Sequence, residues 1–185
     1  MNTTIELPLT AGTWAIDPSH SSVSFTVRHL MISKVRGSFG NVVGSVTVTN
    51  DLAGTLVDVT IDPASIDTGE PARDAHLRNA DFLDVAKFGQ ITVKSTAVEA
   101  SKDGYRLVGD LTIRGIAKSV QLAVEFDGTG IDPWGNTKAG FSASGEINRK
   151  DWGIEYNAVL EAGGVLIGEQ VKLQIDAQLV QPKAN

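Results

Sequence analysis

From residue 13 to residue 181, apolar and polar side chains alternate with period two almost without a break. That period sends successive side chains to opposite faces of a strand, so each segment has one apolar face to bury. In the last segment Val171, Leu173, Ile175, Ala177 and Leu179 share one face, and Lys172, Gln174, Asp176 and Gln178 the other. Near the start, Val23, Phe25 and Val27 oppose Ser22, Ser24, Thr26 and Arg28. One stretch, 71–84, has no such stripe, and its Ala, Leu and Arg suit a helix. Strands interrupted by one charged helical turn predict a β-barrel that carries a flap.

The alternating segments are 13–17, 21–29, 35–49, 56–62, 90–99, 105–114, 118–127, 137–149 and 169–181, which amounts to about eight antiparallel strands. Gly37, Gly40 and Gly44 fall inside the third and mark bulges or bends, as barrel closure requires. Lys102-Asp103-Gly104 and Asp127-Gly128 are hairpin signals, and Asp132-Pro133-Trp134-Gly135-Asn136 is a longer turn. Arg114-Gly115 suits a tight hairpin between Ile113 and Val120. An open sheet of this size leaves one apolar face bare. A sandwich or a closed barrel solves that, and the barrel is the reading preferred. The expected organisation is an N-terminal arm at 1–12, one domain at 13–181 and a tail at 182–185.

The net charge of −6, with no Lys/Arg-rich run, argues against a nucleic-acid partner. The chain has no cysteine, which excludes disulfides and thiolate chemistry. No stretch approaches the roughly 20 apolar residues that span a bilayer as a helix. Residues 1–8 lack the basic and apolar regions of an export signal. With Met1 as the natural start, a cytoplasmic protein is expected; a leader trimmed before Met1 would void that expectation. A homodimer is compatible with the sequence.

No motif announces catalysis or a cofactor. His20, His29 and His76 show no local ligand spacing, so no metal site is expected. Gly140-Phe141-Ser142-Ala143-Ser144 has serine where a nucleophile elbow needs glycine, and it lies within a strand pattern. Gly128-Thr129-Gly130 precedes Asp132-Pro133 and no helix, which rules out a dinucleotide fingerprint. Asp74, Asp81 and Asp84 read as caps and solvated charges of the flap. His29 shares the parity of Val23, Phe25 and Val27, which aims it inward at a strand end, whereas His20 has the outward parity of Ser22 and Ser24.

Several pieces, in order and spacing, carry a resemblance. They are Trp14-Ala15-Ile16-Asp17-Pro18-Ser19-His20, Phe25-Thr26-Val27-Arg28-His29, Val35-Arg36-Gly37-Ser38-Phe39, Arg73-Asp74-Ala75-His76-Leu77-Arg78-Asn79-Ala80-Asp81-Phe82-Leu83-Asp84-Val85, Gly109-Asp110-Leu111-Thr112-Ile113-Arg114-Gly115 and Asn148-Arg149-Lys150-Asp151-Trp152-Gly153. Together they resemble the YceI-like family of lipid- or polyisoprenoid-binding, lipocalin-like barrels. The resemblance implies an eight-stranded antiparallel barrel whose apolar interior holds a long isoprenoid or other lipid chain, with no established catalysis. It departs from the family in lacking an export signal and in having Gly89 after Phe88, where a proline is common.

The leading expectation is therefore binding, carriage or sequestration of one long apolar chain: a polyisoprenoid, quinone or fatty-acid-like lipid. Its candidate lining is Val23, Phe25, Val27, Val59, Ile61, Ile91, Val93, Leu111, Ile113, Leu122, Val124, Phe126 and Phe141. Phe82, Leu83 and Phe88 are the expected apolar underside of the flap, and His29, Arg36, His76 and Arg78 the head-group candidates. With few apolar anchors, the flap reads either as a segment of low local stability that opens to admit a chain or as a fixed connector that covers one barrel end. Two other readings stay open. One is an enzyme acting on a lipophilic or quinone-like substrate, with His29 or His76 as acid–base. The other is a filled-barrel, stress-related interaction module.

Overall fold

A computed structural model describes residues 7–183. Eleven strand segments form one closed antiparallel barrel of eight staves. The first three staves are each broken in two. β1 (Gly12–Ile16) and β2 (Ser22–His29) make the first, β3 (Ser33–Phe39) and β4 (Val42–Val48) the second, and β5 (Leu56–Ile61) and β6 (Ile66–Asp67) the third. β1 pairs with β4 and β2 with β3; β5 pairs with β4 and β6 with β3. β7 (Ile91–Ser101), β8 (Gly104–Ile113), β9 (Ile116–Ile131), β10 (Thr137–Asn148) and β11 (Ile167–Val180) continue as a meander from β5. β11 closes the ring, pairing with β2 through Val171 to Asp176 and with β1 at Leu179 and Val180.

The breaks have a common chemistry. Asp17 and Asp62 each precede a proline, which has no N–H for the ladder. Their carboxylates accept from Ser19 N and Ala64 N at 3.0 and 2.9 Å, capping short 3₁₀ turns. The middle stave bends at Gly40-Asn41, where Asn41 N donates to Ser65 Oγ and Asp62 N to Asn41 O. The second and third staves thus turn one barrel corner together.

Turn chemistry sets the remaining register. Ser101 pairs with Gly104 around Lys102-Asp103. Arg114 and Gly115, at φ 51° and 71°, form a type I′-like turn that pairs Ile113 with Ile116, four residues short of the expected Val120. Asp127-Gly128 is not a hairpin. β9 runs straight through it: Phe126 faces Phe141, Gly128 faces Gly140, and Asp127 is the extra residue of a bulge. The left-handed tolerance that makes Asp-Gly a turn signal serves a bulge equally well. Asp132 does organise the β9–β10 turn, accepting from Trp134 N and Asn136 N.

One end of the barrel is shut by Trp14, Ile16, Val48, Ala139 and Leu179, all buried. Leu7 and Leu9 pack onto this cluster, and the Trp14 indole donates to Thr10 O, so residues 7–11 of the expected arm lie against the barrel. Residues 1–6 of that arm, and 184–185 of the tail, fall outside the described residues. The other end carries helix α1 (Pro71–Arg78), capped by Glu70 with Pro71 in its first turn, and the 149–166 connection. Between the ends, Gly37 lies opposite Phe25; a Cβ there would collide with the Phe25 ring and with Thr68.

Asp17 reaches over β11 to β10, accepting from Lys138 Nζ at 2.8 Å and sitting 3.0 Å from His20 Nδ1. The Lys138 ammonium, then His20, hold its carboxyl at about 2, below its ordinary 3.8. A carboxyl depressed in the folded state adds stability that is fully present above its unfolded pKa and is lost as the pH falls through the folded one. Asp17→Asn keeps the capping oxygen and removes the charge. It is expected to cost about 1 kcal/mol at neutral pH and to flatten the decline in Tm between about pH 4 and 2, read by circular dichroism melts across that range.

Candidate functional site: an apolar cavity along the barrel axis

The inward faces of the staves do not meet at the axis. They enclose a cavity of about 480 Å³, so the barrel is hollow rather than filled. Its wall is the apolar stripe of nearly every stave: Val23, Phe25 and Val27 on β2; Val57, Val59 and Ile61 on β5; Leu107, Leu111 and Ile113 on β8; Val120, Leu122 and Val124 on β9; Phe141, Ala143 and Ile147 on β10; Val171, Leu173 and Ile175 on β11. On β7 the stripe changes parity, from Ile91 and Val93 to Val98, because a bulge lies between Ser95 and Ala97.

All the sequence-predicted lining residues except Phe126 line this cavity. Phe126 lies toward the shut end, packing on the Trp14 cluster with its ring 5.3 Å from that of Phe141. Phe82 and Leu83 are buried and line it, as the flap's expected underside. Phe88 does not. A turn with Asp84 at φ 49° carries it past the barrel end to the β8–β9 turn, where Gly115 leaves it room. Of the head-group candidates, His29 and His76 line the cavity, and Arg36 and Arg78 do not. Arg36 is exposed on the outer face of β3, opposite Thr26. Arg78 is committed elsewhere: its Nε and Nη2 donate to Ala64 O and Ile66 O at 2.9 and 2.8 Å. His20 is in the 3₁₀ turn after β1, mostly exposed, as its parity implied.

The polar groups of the wall gather mainly at the flap end, where His29, Arg73, His76, Arg149 and Tyr156 form a mouth that Arg28 touches from the outer face of β2. His76 holds Asp81 at 2.8 Å through Nε2, and its ring meets Phe82 and Tyr156 edge-on at 5.0 and 4.8 Å. With Phe82 and Tyr156 5.2 Å apart, the three rings make an aromatic cluster on one side of the mouth. At depth the wall offers Thr55 Oγ1, the one buried side-chain polar atom among the described residues without a hydrogen-bond partner. No group of three His, Asp or Glu among the described residues is placed to hold a metal ion.

Sequence reasoning missed Arg149, Tyr156, Arg73 and Thr55. Residues 149–166 have no alternation, so no face can be assigned to them; Arg149 and Trp152 stood only among the pieces of the resemblance. Arg149 is 5% exposed. Its guanidinium donates to the carbonyls of Gly168, Ile154, Tyr156 and Ile167, fixing the connection that carries Tyr156. Burial pushes its pKa down from the ordinary arginine value, against the pull of Glu169. Trp152 is buried beneath, its Nε1 donating to Leu111 O at 3.0 Å.

Several contacts tie the flap to the barrel. Asp74 does not solvate the helix: it is buried and accepts from Thr68 N and Thr68 Oγ1 at 2.9 and 2.6 Å. Arg114 Nη1 donates to Ala80 O and Phe82 O, and Leu77, Phe82, Leu83 and Val85 pack into the main core cluster. Arg149→Lys keeps one charge but cannot reach four carbonyls. It is expected to lower stability by about 2–4 kcal/mol, read as the midpoint of urea unfolding.

The YceI-like domain profile matches residues 14–179. The chain is 40% identical over 170 residues to the UPF0312 protein SAS2572 of Staphylococcus aureus, covering 89% of this chain and 95% of that one. Among solved structures, the YCEI protein of Campylobacter jejuni superposes with a TM-score of 0.69 at 28% identity, covering 84% of this chain and 90% of that one. BcnA of Burkholderia cenocepacia superposes with a TM-score of 0.76 at 21% identity, over 88% of this chain and 98% of that one, a likeness of fold. So is the likeness to a polyisoprenoid binding domain from Saccharophagus degradans implicated in plant cell wall breakdown: TM-score 0.64, 16% identity, 91% and 98% covered.

Proposed function

This chain belongs to the YceI-like domain family, and we propose that its barrel binds and sequesters one long apolar chain, a polyisoprenoid, quinone or fatty-acid-like lipid, with its polar end at the flap mouth. The observation that carries this reading is the cavity of about 480 Å³ walled by aliphatic and aromatic side chains. Its size falls within the roughly 300–1,000 Å³ of small-molecule sites. Such a hollow is costly to leave empty, because its lining lacks contact partners on one side. The Saccharophagus degradans domain of the same fold, described as polyisoprenoid binding, supports the same ligand chemistry here.

Burial supplies the affinity. At about 0.8 kcal/mol per CH₂, one five-carbon isoprene unit contributes roughly 3–4 kcal/mol gross. Association costs an estimated 4–15 kcal/mol, so one unit does not suffice and several do. The wall selects for length and apolarity rather than for a particular pattern of hydrogen bonds. At the mouth, His29 and Tyr156 offer polar contacts beside the cavity, and His76, already on Asp81, presents its ring.

A bulky ring inside the wall should displace the ligand and leave the barrel standing. Val93→Trp and Val124→Trp, at well-separated points of the lining, are expected to retain the native circular dichroism spectrum and to lose most of the lipid that native mass spectrometry detects on the unaltered protein. Uptake undiminished in both variants would contradict the reading. Unfolding by more than the roughly 1–3 kcal/mol of an overpacked core would show that these positions have no free space beside them.

A further inference from the structure

The β2–β3 hairpin presents its apolar residues where hairpins normally present Asn-Gly. Its tip is Leu30-Met31-Ile32, with Ile32 N donating to His29 O at 3.2 Å. Leu30 and Met31 occupy the left-handed region, at φ 53° and 62°, a conformation uncommon for bulky residues. The three side chains are 37%, 56% and 83% exposed, and Val159, on the neighbouring connection, is 86% exposed. Leu30 N donates to Leu166 O, and both Leu166 and His29 line the cavity. The exposed apolar tip is thus continuous with the flap-end mouth.

The shaft of this hairpin is basic. Arg28 and Lys34 stand directly opposite each other across the ladder, with Arg36 two residues further on the same outer face. No Asp or Glu occurs between Asp17 and Asp51, in a chain of net charge −6. Like charges placed opposite one another on a ladder are unfavourable. An apolar tip on a basic shaft is the pattern that enters the headgroup region of an anionic bilayer, where apolar burial and attraction to acidic lipids act together. On the adjoining connection Glu155 and Glu161 stand four residues before and two after Val159. At the other end Ile131 and Trp134 are also exposed, but they adjoin Asp132 and neither lines the cavity.

We propose that the Leu30-Met31-Ile32 tip, with Arg28, Lys34 and Arg36 behind it, docks the barrel mouth onto an anionic lipid surface, from which the apolar chain passes into the cavity. The docking stands on these observations; the transfer rests on the ligand-binding reading above.

Vesicle co-sedimentation of the intact protein tests the docking. Vesicles of phosphatidylcholine with about one third phosphatidylglycerol should bind it at least about tenfold better than pure phosphatidylcholine, with the difference shrinking as salt rises. Leu30→Asn, Met31→Gly and Ile32→Ser combined give the turn residues that suit left-handed backbone, so the melting temperature should hold or rise. Binding to the anionic vesicles should nonetheless fall about tenfold or more. Arg28→Gln, Lys34→Gln and Arg36→Gln combined should abolish the salt-dependent part. The docking is overturned if the tip variant sediments as the native protein does, or if the native protein ignores anionic vesicles at low salt. It is equally overturned if the tip mediates a dimer in solution that the tip variant loses, with no vesicle binding by either. A native protein that ignores vesicles yet keeps lipid loaded from detergent micelles loses only the docking. One that docks but carries no extractable lipid loses the ligand reading and keeps the docking.

Discussion

β11 donates and accepts along both of its edges, and on one of them it serves two partners. It pairs with β10 throughout, while its other edge is shared between β2 and the end of β1. Without that split the sheet would end in two open edges, each a row of unpaired N–H and C=O groups. The first stave is interrupted where it passes from one stretch of β11 to the other. The Asp17-Pro18 break supplies the interruption, and the Asp17–Lys138 ion pair ties it to β10 on the far side of β11. Once the ring is closed, each stave has an inside and an outside, and the apolar stripe is committed to the inside.

The inside is then a question of volume. An eight-stranded ring is either filled by its own side chains or able to hold one small ligand. Here Val, Ile, Leu and Ala dominate the stripe, Phe25 and Phe141 apart, and the buried tryptophans are spent at the ends. Trp14 shuts one end, Trp152 and Phe82 lie at the other, and Phe126 packs on the Trp14 cluster. The hollow centre follows from this distribution: bulk has been placed where it stops the barrel, and branched residues where it is wide.

The staves, their inward faces and the wall of the cavity were legible because period two survives in each segment and a parity fixes a direction. Val23, Phe25 and Val27 could be assigned from the sequence for that reason. What was not legible depends on partners distant in sequence. Asp-Gly at 127–128 promises positive φ but cannot say whether the chain reverses or bulges. The breaks at Asp17-Pro18 and Asp62-Pro63 look like loops until their neighbours are known, whereas a glycine inside a strand pattern marked the bend at Gly40. Arg36 and Arg78 were both read as charges available to a ligand. The first faces away from the cavity, and the second is occupied by carbonyls of residues 64 and 66. Arg149 carries no local signal because its acceptors lie on the 149–166 connection and at the start of β11.

Those arginines also explain how a strand barrel carries so much irregular chain at one end. Carbonyls outside a ladder must find donors when they are covered. At the flap end the donors are guanidinium groups: Arg78 serves residues 64 and 66, Arg114 serves residues 80 and 82, and Arg149 serves residues 154, 156, 167 and 168. A planar guanidinium with several fixed donors reaches more than one carbonyl, which an ammonium does not. Lifting the flap means separating the bonds of Arg78 and Arg114 and exposing Phe82 and Leu83. At about 1.5–3 kcal/mol for each hydrogen bond to a charged group, the cost becomes comparable with the roughly 5–15 kcal/mol that holds a whole domain together. The flap is thus tied to the barrel by the bonds of Arg78 and Arg114 and by the burial of Phe82 and Leu83. The β2–β3 tip is tied back by backbone bonds from Leu30 N to Leu166 O and from Ile32 N to His29 O, with Met31 and Ile32 more than half exposed.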